Sequence, residues 1–139
     1  MKANNSRIAN FGVILLTASL SLVLGCTLKP YLVVWNNTGG PVTLKIEEQV
    51  RTLQAGASAQ FRFPGNTMEF AIETASKQVW RYKAKYPEKS YISKNRIYVQ
   101  IEQNGDIYVR RPDSSGVVRN LPPQPTGFPL KPEQAPSND

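Results

Sequence analysis

The alternation of apolar and polar residues in short runs constrains this chain more than any other feature. In residues 79–86, aromatic residues or alanine stand at every second position, with cations between them. Arg96–Glu102 repeats the pattern and places Ile97, Val99 and Ile101 on one face. Because alternate side chains of a β-strand point to opposite faces, each run predicts a strand with one buried side.

Turn residues divide residues 31–111 into about seven predicted strands. Three successive pairs of runs are predicted to form hairpins: 31–36 with 42–46, 58–63 with 67–74, and 96–102 with 107–109. Asn104-Gly105 predicts a two-residue type I′ turn in the last pair, because both residues tolerate positive φ. Residues 46–53 are the one stretch after the N-terminal region whose pattern allows a short helical turn.

Strands joined by tight turns favour an all-β fold. We expect a small antiparallel β-sandwich or an open barrel, of which an immunoglobulin-like arrangement is one form. A domain of about 80 residues buries roughly 60 to 65% of its unfolded surface, which leaves little room for a deep cleft. This size suits a modest binding module better than an enzyme with a large active site.

The first 25 residues have the pattern of a secretory leader. Lys2 and Arg7 give a positive start, and residues 11–24 form a mostly apolar run. The run has the length of a signal-peptide core and is shorter than the roughly 20 residues of a membrane-spanning helix. We therefore expect residues 1–25 to be removed from the exported protein.

The leader ends in Leu22-Val23-Leu24-Gly25-Cys26. This segment resembles the lipobox of bacterial lipoproteins: Gly25 and Cys26 match it, whereas Leu24 is bulkier than the small residue usually found at its position. The resemblance implies cleavage between Gly25 and Cys26, and attachment of a diacylglyceryl group to the Cys26 sulfur. It further implies that acyl chains hold the protein on a membrane of the cell envelope.

Residues 26–30 then form the lipidated N-terminus and a short tether. In an organism with two membranes, the resemblance implies the outer membrane with the domain facing the periplasm, because Thr27 rather than aspartate follows the cysteine. Two or three acyl chains, at about 0.8 kcal/mol per buried methylene, give lasting attachment.

A proline-rich segment, residues 112–139, follows the predicted sandwich at 31–111. It holds seven of the 11 prolines of the chain. Prolines favour extended conformations, so an extended or disordered tail is expected. Phe128 and Leu130 are unusually apolar for a free linker, which indicates docking on the sandwich or on another protein.

The composition excludes several kinds of catalytic and metal site. The chain has one cysteine and no histidine, so it lacks Ser-His-Asp and Cys-His constellations and the commonest zinc ligands. No metal and no cofactor are expected.

The net charge of the chain is +7, and it becomes +5 when Lys2 and Arg7 leave with the leader. A basic surface attracts anionic partners. Because the leader predicts export from the cytoplasm, no nucleic acid is expected as a partner.

The clearest candidate for an anionic ligand is a basic strand face formed by Arg81, Lys83 and Lys85. On a strand these cations stand roughly 7 Å apart on one side, a row that could follow an anionic glycan or a set of lipid head groups. The alternative is a solvated face that prevents edge-to-edge aggregation.

The aromatic residues beside this row are candidates for stacking on sugar rings. They are Trp80, Tyr82 and Tyr86. The alternative is that they face the core, which is the usual fate of such an alternating set.

Catalysis by paired carboxylates is the remaining enzymatic hypothesis. The candidate pairs are Glu47 with Glu48, Glu69 with Glu73, and Glu102 with Asp106. None of these spacings predicts two carboxyls facing each other across a cleft, as a glycosidase requires. We expect instead a non-enzymatic structural or adaptor module that contacts another envelope protein or a cell-wall component.

Overall fold

The structure, a computed structural model, describes residues 29–62, 67–112 and 114–133. In these ranges the chain forms eight strands and one short 3-10 turn, Lys89–Tyr91. The strands are β1 (Tyr31–Asn37), β2 (Val42–Ile46), β3 (Gln49–Leu53), β4 (Ser58–Arg62), β5 (Thr67–Thr74), β6 (Val79–Lys85), β7 (Arg96–Glu102) and β8 (Ile107–Val109). The predicted leader, the Gly25–Cys26 cleavage site and the turn at 64–66 lie outside the described residues.

The strands form two four-stranded sheets, which confirms the all-β sandwich. Sheet A has the order β4-β1-β7-β8, and sheet B has the order β3-β2-β5-β6. The apolar faces of both sheets meet in one core. Seven strands were expected and eight are present in the described residues. One pair also departs from the antiparallel prediction, because β1 runs parallel to β7.

Two of the three predicted hairpins are wrong, because the chain changes sheet between their strands. β1 and β4 belong to sheet A, whereas β2 and β5, their expected partners, belong to sheet B. Asn36 stabilises the first crossing: its Nδ2 donates to the carbonyls of Gly40 and Leu53, and its Oδ1 accepts from Thr38. Because the two strands of each pair lie in opposite sheets, their apolar faces point toward each other across the core.

Residues 46–53 form a hairpin of β2 and β3 instead of a helical turn. Ile46 pairs with Gln49, so Glu47 and Glu48 alone make the connection. Glu47 adopts a φ of 50°. The β-branched Val50 and Thr52 favour a strand after the turn, which explains why the helical alternative does not form.

The β7–β8 hairpin is present, but its turn differs from the predicted type I′. Gly105 N donates to the Glu102 carbonyl, and Glu102 N donates to the Asp106 carbonyl. The loop between these residues is therefore three residues long, 103–105. Gly105 has a φ of 84°, whereas Asn104 is not left-handed. This pattern is a type I turn followed by a left-handed glycine. A type I′ turn requires two adjacent left-handed residues. That pattern occurs elsewhere, at Lys94 and Asn95, whose φ values are 47° and 59°.

The tail lies along the open side of the sandwich. The Gln124 side chain accepts a hydrogen bond from the Val109 N–H and donates one to the Val109 carbonyl. The backbone N–H and carbonyl of Leu130 form hydrogen bonds with the carbonyl and N–H of Ile107. Glu133 N then donates to the Arg81 carbonyl on β6. The tail therefore satisfies exposed edges of both sheets. Leu130 is buried in the core, so the packed unit extends beyond residue 111.

Candidate functional site

The predicted basic face lies on β6, where Arg81, Lys83 and Lys85 are all exposed. It is less cationic than its sequence indicates, because Lys83 Nζ lies 2.7 Å from Glu69 Oε1 on β5. The hydrogen bond and charge of Lys83 lower the pKa of Glu69, and the same contact raises the pKa of Lys83. In the described part of the chain no ion pair involves Arg81 or Lys85.

Carboxylates are interleaved with cations across the outer face of sheet B. Glu73 accepts from Lys77 at 2.9 Å and from Lys45 at 3.0 Å, and these hydrogen bonds lower its pKa. A general acid needs a raised pKa. Glu69 and Glu73 are therefore held ionised by lysines, an arrangement typical of a solvated, charge-paired face.

The three stacking candidates face the core, and for Trp80 and Tyr82 the prediction of ligand stacking is corrected. Trp80 and Tyr82 are buried, and Tyr86 is half-buried against the core. Tyr82 stacks on Phe70 with ring centroids 4.9 Å apart, and its hydroxyl donates to the Gly105 carbonyl at 2.7 Å. Because the core covers Trp80 and Tyr82, a sugar has no access to the faces of their rings, whereas part of Tyr86 is exposed.

The other predicted carboxylate pairs serve turns and hydrogen bonds. Glu47 and Glu48 form the β2–β3 turn. Glu102 accepts from Asn37 at 2.7 Å and from Gln100 at 2.6 Å. Among the described residues, no cluster of three or more potential metal-ligating side chains is present.

The residue that sequence analysis missed is Arg110, just after β8. Its side chain is only 2% exposed. Its guanidinium carbon lies 3.9 Å from the centre of the Trp35 ring, and Nη2 donates to the Ser114 carbonyl at 2.8 Å. Nε and Nη1 have no hydrogen-bond partner among the described residues. Burial lowers the pKa of Arg110, but a guanidinium stays protonated in proteins.

Arg110 lines a pocket of about 260 Å³ between the end of β8, the 3-10 turn and the tail. The lining residues are Ser90, Tyr91, Ser93, Arg110, Arg111, Pro112, Pro122 and Pro123. The lining therefore combines two guanidinium groups and three hydroxyl groups with apolar prolines, and none of its described residues is a carboxylate. Such a site can accept a small anion.

The alternation of β8 places Arg110 on the outer face of sheet A, where solvent exposure would be expected. It is buried because the tail crosses that face: Val118 forms two hydrogen bonds with the Gln100 side chain, and Ser114 accepts from Arg110. The one local signal in the sequence is the doublet Arg110-Arg111 before a proline, which is too common to identify a pocket.

The same pocket lies at the end of the sandwich where β1 begins, here named the entry end. Tyr31 pairs with Arg62 of β4 and Arg96 of β7, so these strand termini share that end. The entry end also carries other charged residues. Its cations are Lys29, Arg62, Lys85, Lys89, Lys94, Arg96 and Arg111, and its described carboxylates are Glu47, Glu48 and Glu88. The surface is therefore basic.

Comparisons of the chain with protein-family models, curated proteins and solved structures give no match. Of the helices in the described residues, none is long and apolar enough to cross a membrane.

Proposed function

We propose that this chain is a lipid-anchored protein of the bacterial cell envelope whose sandwich acts as a non-enzymatic structural or adaptor module. Acyl chains on Cys26 hold it, with the domain on the periplasmic side of the outer membrane where two membranes exist. The observation that carries the proposal is the position of the lipobox-like segment directly before the first strand. Between Cys26 and Tyr31 the chain spans at most about 18 Å.

This short tether determines which part of the sandwich meets the bilayer. An anchor this close to β1 turns the entry end toward the lipid head groups. The basic residues of that end match a negatively charged leaflet, to which each nearby lysine or arginine adds about 1 kcal/mol of attraction. Anchor and surface charge thus favour the same orientation.

The adaptor role is supported by what remains uncovered in this orientation. The tail covers much of the outer face of sheet A, through Ser114 and Val118. The outer face of sheet B is open, and it carries the exposed apolar residues Val50 and Val79 among paired charges. This face points away from the entry end and is open to solvent among the described residues, so we assign the contact with a partner protein to it.

Removing two cations of the entry end is expected to weaken binding to anionic vesicles. We would compare the chain from residue 26 with Cys26→Ser, which isolates the charge effect, with the same chain carrying Lys89→Gln and Lys94→Gln. The affinity for phosphatidylglycerol vesicles, measured by sedimentation at low salt, should fall by about 30-fold, because two cations worth about 1 kcal/mol each are removed. The difference should shrink at 0.5 M salt.

The matched control carries Lys77→Gln and Lys131→Gln, which remove the same charge from exposed positions at the opposite end. It should lose at most about twofold, a remainder expected from net charge alone. Equal losses for the two pairs would show that net charge, not orientation, governs the binding, and would contradict the membrane-facing entry end.

A photo-crosslinking residue at Val50 or Val79 is expected to yield one adduct of constant mass in intact cells. Both positions lie on the open face of sheet B, so a bound partner would lie within reach. The control position is Arg119, an exposed residue of the tail. Absence of an adduct at both valines, or the same adducts at all three positions, would contradict the adaptor role.

Binding of an anionic glycan through β6 is the alternative that the row Arg81, Lys83 and Lys85 supports. It is weaker than the adaptor hypothesis because Lys83 is already paired with Glu69. Replacing all three with glutamine should leave sedimentation with peptidoglycan unchanged if the face is only solvated. A marked loss would favour the glycan hypothesis.

A further inference from the structure

The buried charge of Arg110 has no counterion among the described residues. Its nearest polar contact is the neutral Ser114 carbonyl, and its nearest ring is Trp35. A buried cation is expensive unless it is paired, and buried polar atoms without partners are rare in folded proteins. Two unpartnered N–H-bearing atoms, Nε and Nη1, on a side chain only 2% exposed therefore indicate a missing anionic group.

The adjacent pocket supplies the space and the other donors. At about 260 Å³ it is smaller than a typical site for a drug-sized molecule, which begins near 300 Å³. Ser90 and Ser93 line the same pocket as Arg110 and Arg111, and their side chains carry hydroxyl donors. Guanidinium and hydroxyl donors together match the several acceptor oxygens of a phosphate group.

We propose that this pocket binds the phosphate of an anionic phospholipid head group, an inference that rests on the proposed membrane anchoring. The pocket lies at the entry end, beside the 3-10 turn between β6 and β7. With Cys26 acylated, that end meets the head groups, which place phosphates next to the pocket at high local concentration. The apolar Pro112, Pro122 and Pro123 provide a wall for the glycerol portion.

The two tryptophans of the chain allow a direct test, because only Trp35 contacts the site. Full-length protein purified from membranes in a maltoside detergent, with ¹⁵N-labelled indoles, would be titrated with short-chain phosphatidylglycerol. The Trp35 indole resonance should shift in a saturable manner, whereas that of Trp80 should not. Parallel titrations would use inorganic phosphate and short-chain phosphatidylcholine, which has a phosphate but no net charge.

Two variants separate a binding role from a structural one. Arg110→Met fills a similar volume without the charge, and it should weaken phosphatidylglycerol binding by at least about tenfold. Its urea midpoint without lipid should be equal to or higher than that of the native protein, because an unpaired buried charge is removed. The control Lys131→Gln removes one charge from an exposed position outside the pocket, at the opposite end of the sandwich, and should lose no more than about threefold.

The outcomes discriminate between the sources of phosphate. A saturable response to phosphatidylglycerol that exceeds the response to phosphate and phosphatidylcholine supports the proposal. An equal or stronger response to inorganic phosphate, no response at all, or a lower urea midpoint of Arg110→Met with unchanged binding would overturn it. If mass spectrometry finds Cys26 unmodified while Trp35 still responds to phosphatidylglycerol, the anchor fails and the pocket stands.

Discussion

Replacing residues 1–25 with an ordinary cleavable leader, together with Cys26→Ser, is expected to move the protein completely from the membrane fraction to the soluble fraction. The serine oxygen does not replace the cysteine sulfur that the lipobox resemblance assigns to acylation. Each acyl chain removed loses about 0.8 kcal/mol of membrane affinity per methylene, so the change exceeds every other effect considered for this chain. The charges of the entry end hold the protein only weakly and are screened by salt.

The measurement is fractionation in 0.5 M salt, followed by mass spectrometry of the N-terminus. Native protein should begin at Cys26 and carry the mass of a diacylglyceryl group and an amide-linked acyl chain. A control with the native leader and Thr27→Ser should remain in the membrane fraction. A native protein that fractionates as soluble, with a free Cys26 thiol, would contradict the anchor and the localisation that depends on it.

Gly105→Ala is expected to destabilise the sandwich by about 2 to 4 kcal/mol, through strain and overpacking. Gly105 has a φ of 84°, which L-residues adopt at a cost. A Cβ at this position would lie 2.8 Å from Pro132 Cγ and 3.1 Å from two ring atoms of Trp80. The glycine cannot easily move, because its carbonyl accepts from the buried Tyr82 hydroxyl at 2.7 Å.

The matched control is Gly56→Ala. Gly56 has a φ of 76°, but a Cβ there would meet no atom within 4 Å. Its cost should therefore be the conformational part alone, about 1 to 2 kcal/mol. Urea unfolding of the soluble Cys26→Ser chain measures both. Equal losses for the two variants would mean that the tail does not press Pro132 against the β7–β8 turn.

The inward residues of the strands could be predicted because their alternation depends only on local sequence. Ile97, Val99 and Ile101 were expected on one inward face, and all three are buried. The period of two holds whichever strand lies alongside.

The prediction of strand pairing was wrong where the pairing depends on residues far apart in the chain. A tight turn between two alternating runs is compatible with a hairpin and with a change of sheet, since both bury the same faces. The β1–β7 parallel pair joins Val33 to Tyr98, a separation along the chain that no local pattern predicts. The β2–β3 hairpin was missed because residues 46–53 mix strand-forming and turn-forming residues and show no clear alternation of apolar and polar side chains.

The candidate site could not be predicted for a related reason. Pattern alone assigns Arg110 to the outer face of a strand, and in most sandwiches that face meets water. Here the tail returns to cover it, through contacts of Ser114 and Val118 with side chains on sheet A. A surface cation becomes a buried one only when a segment remote from the strand packs over it.

The amino-acid sequence by itself determined the all-β class and which residues face inward, because side-chain alternation is a property of each strand alone. It also carries the lipobox-like segment, since such a signal is read from a linear chain. Only the tertiary structure decided which strands pair, that the tail bonds one edge of each sheet, and that Arg110 lies beside a pocket with no counterion among the described residues. Those properties arise from residues that meet across the fold, and their free energies depend on contacts that no local window contains.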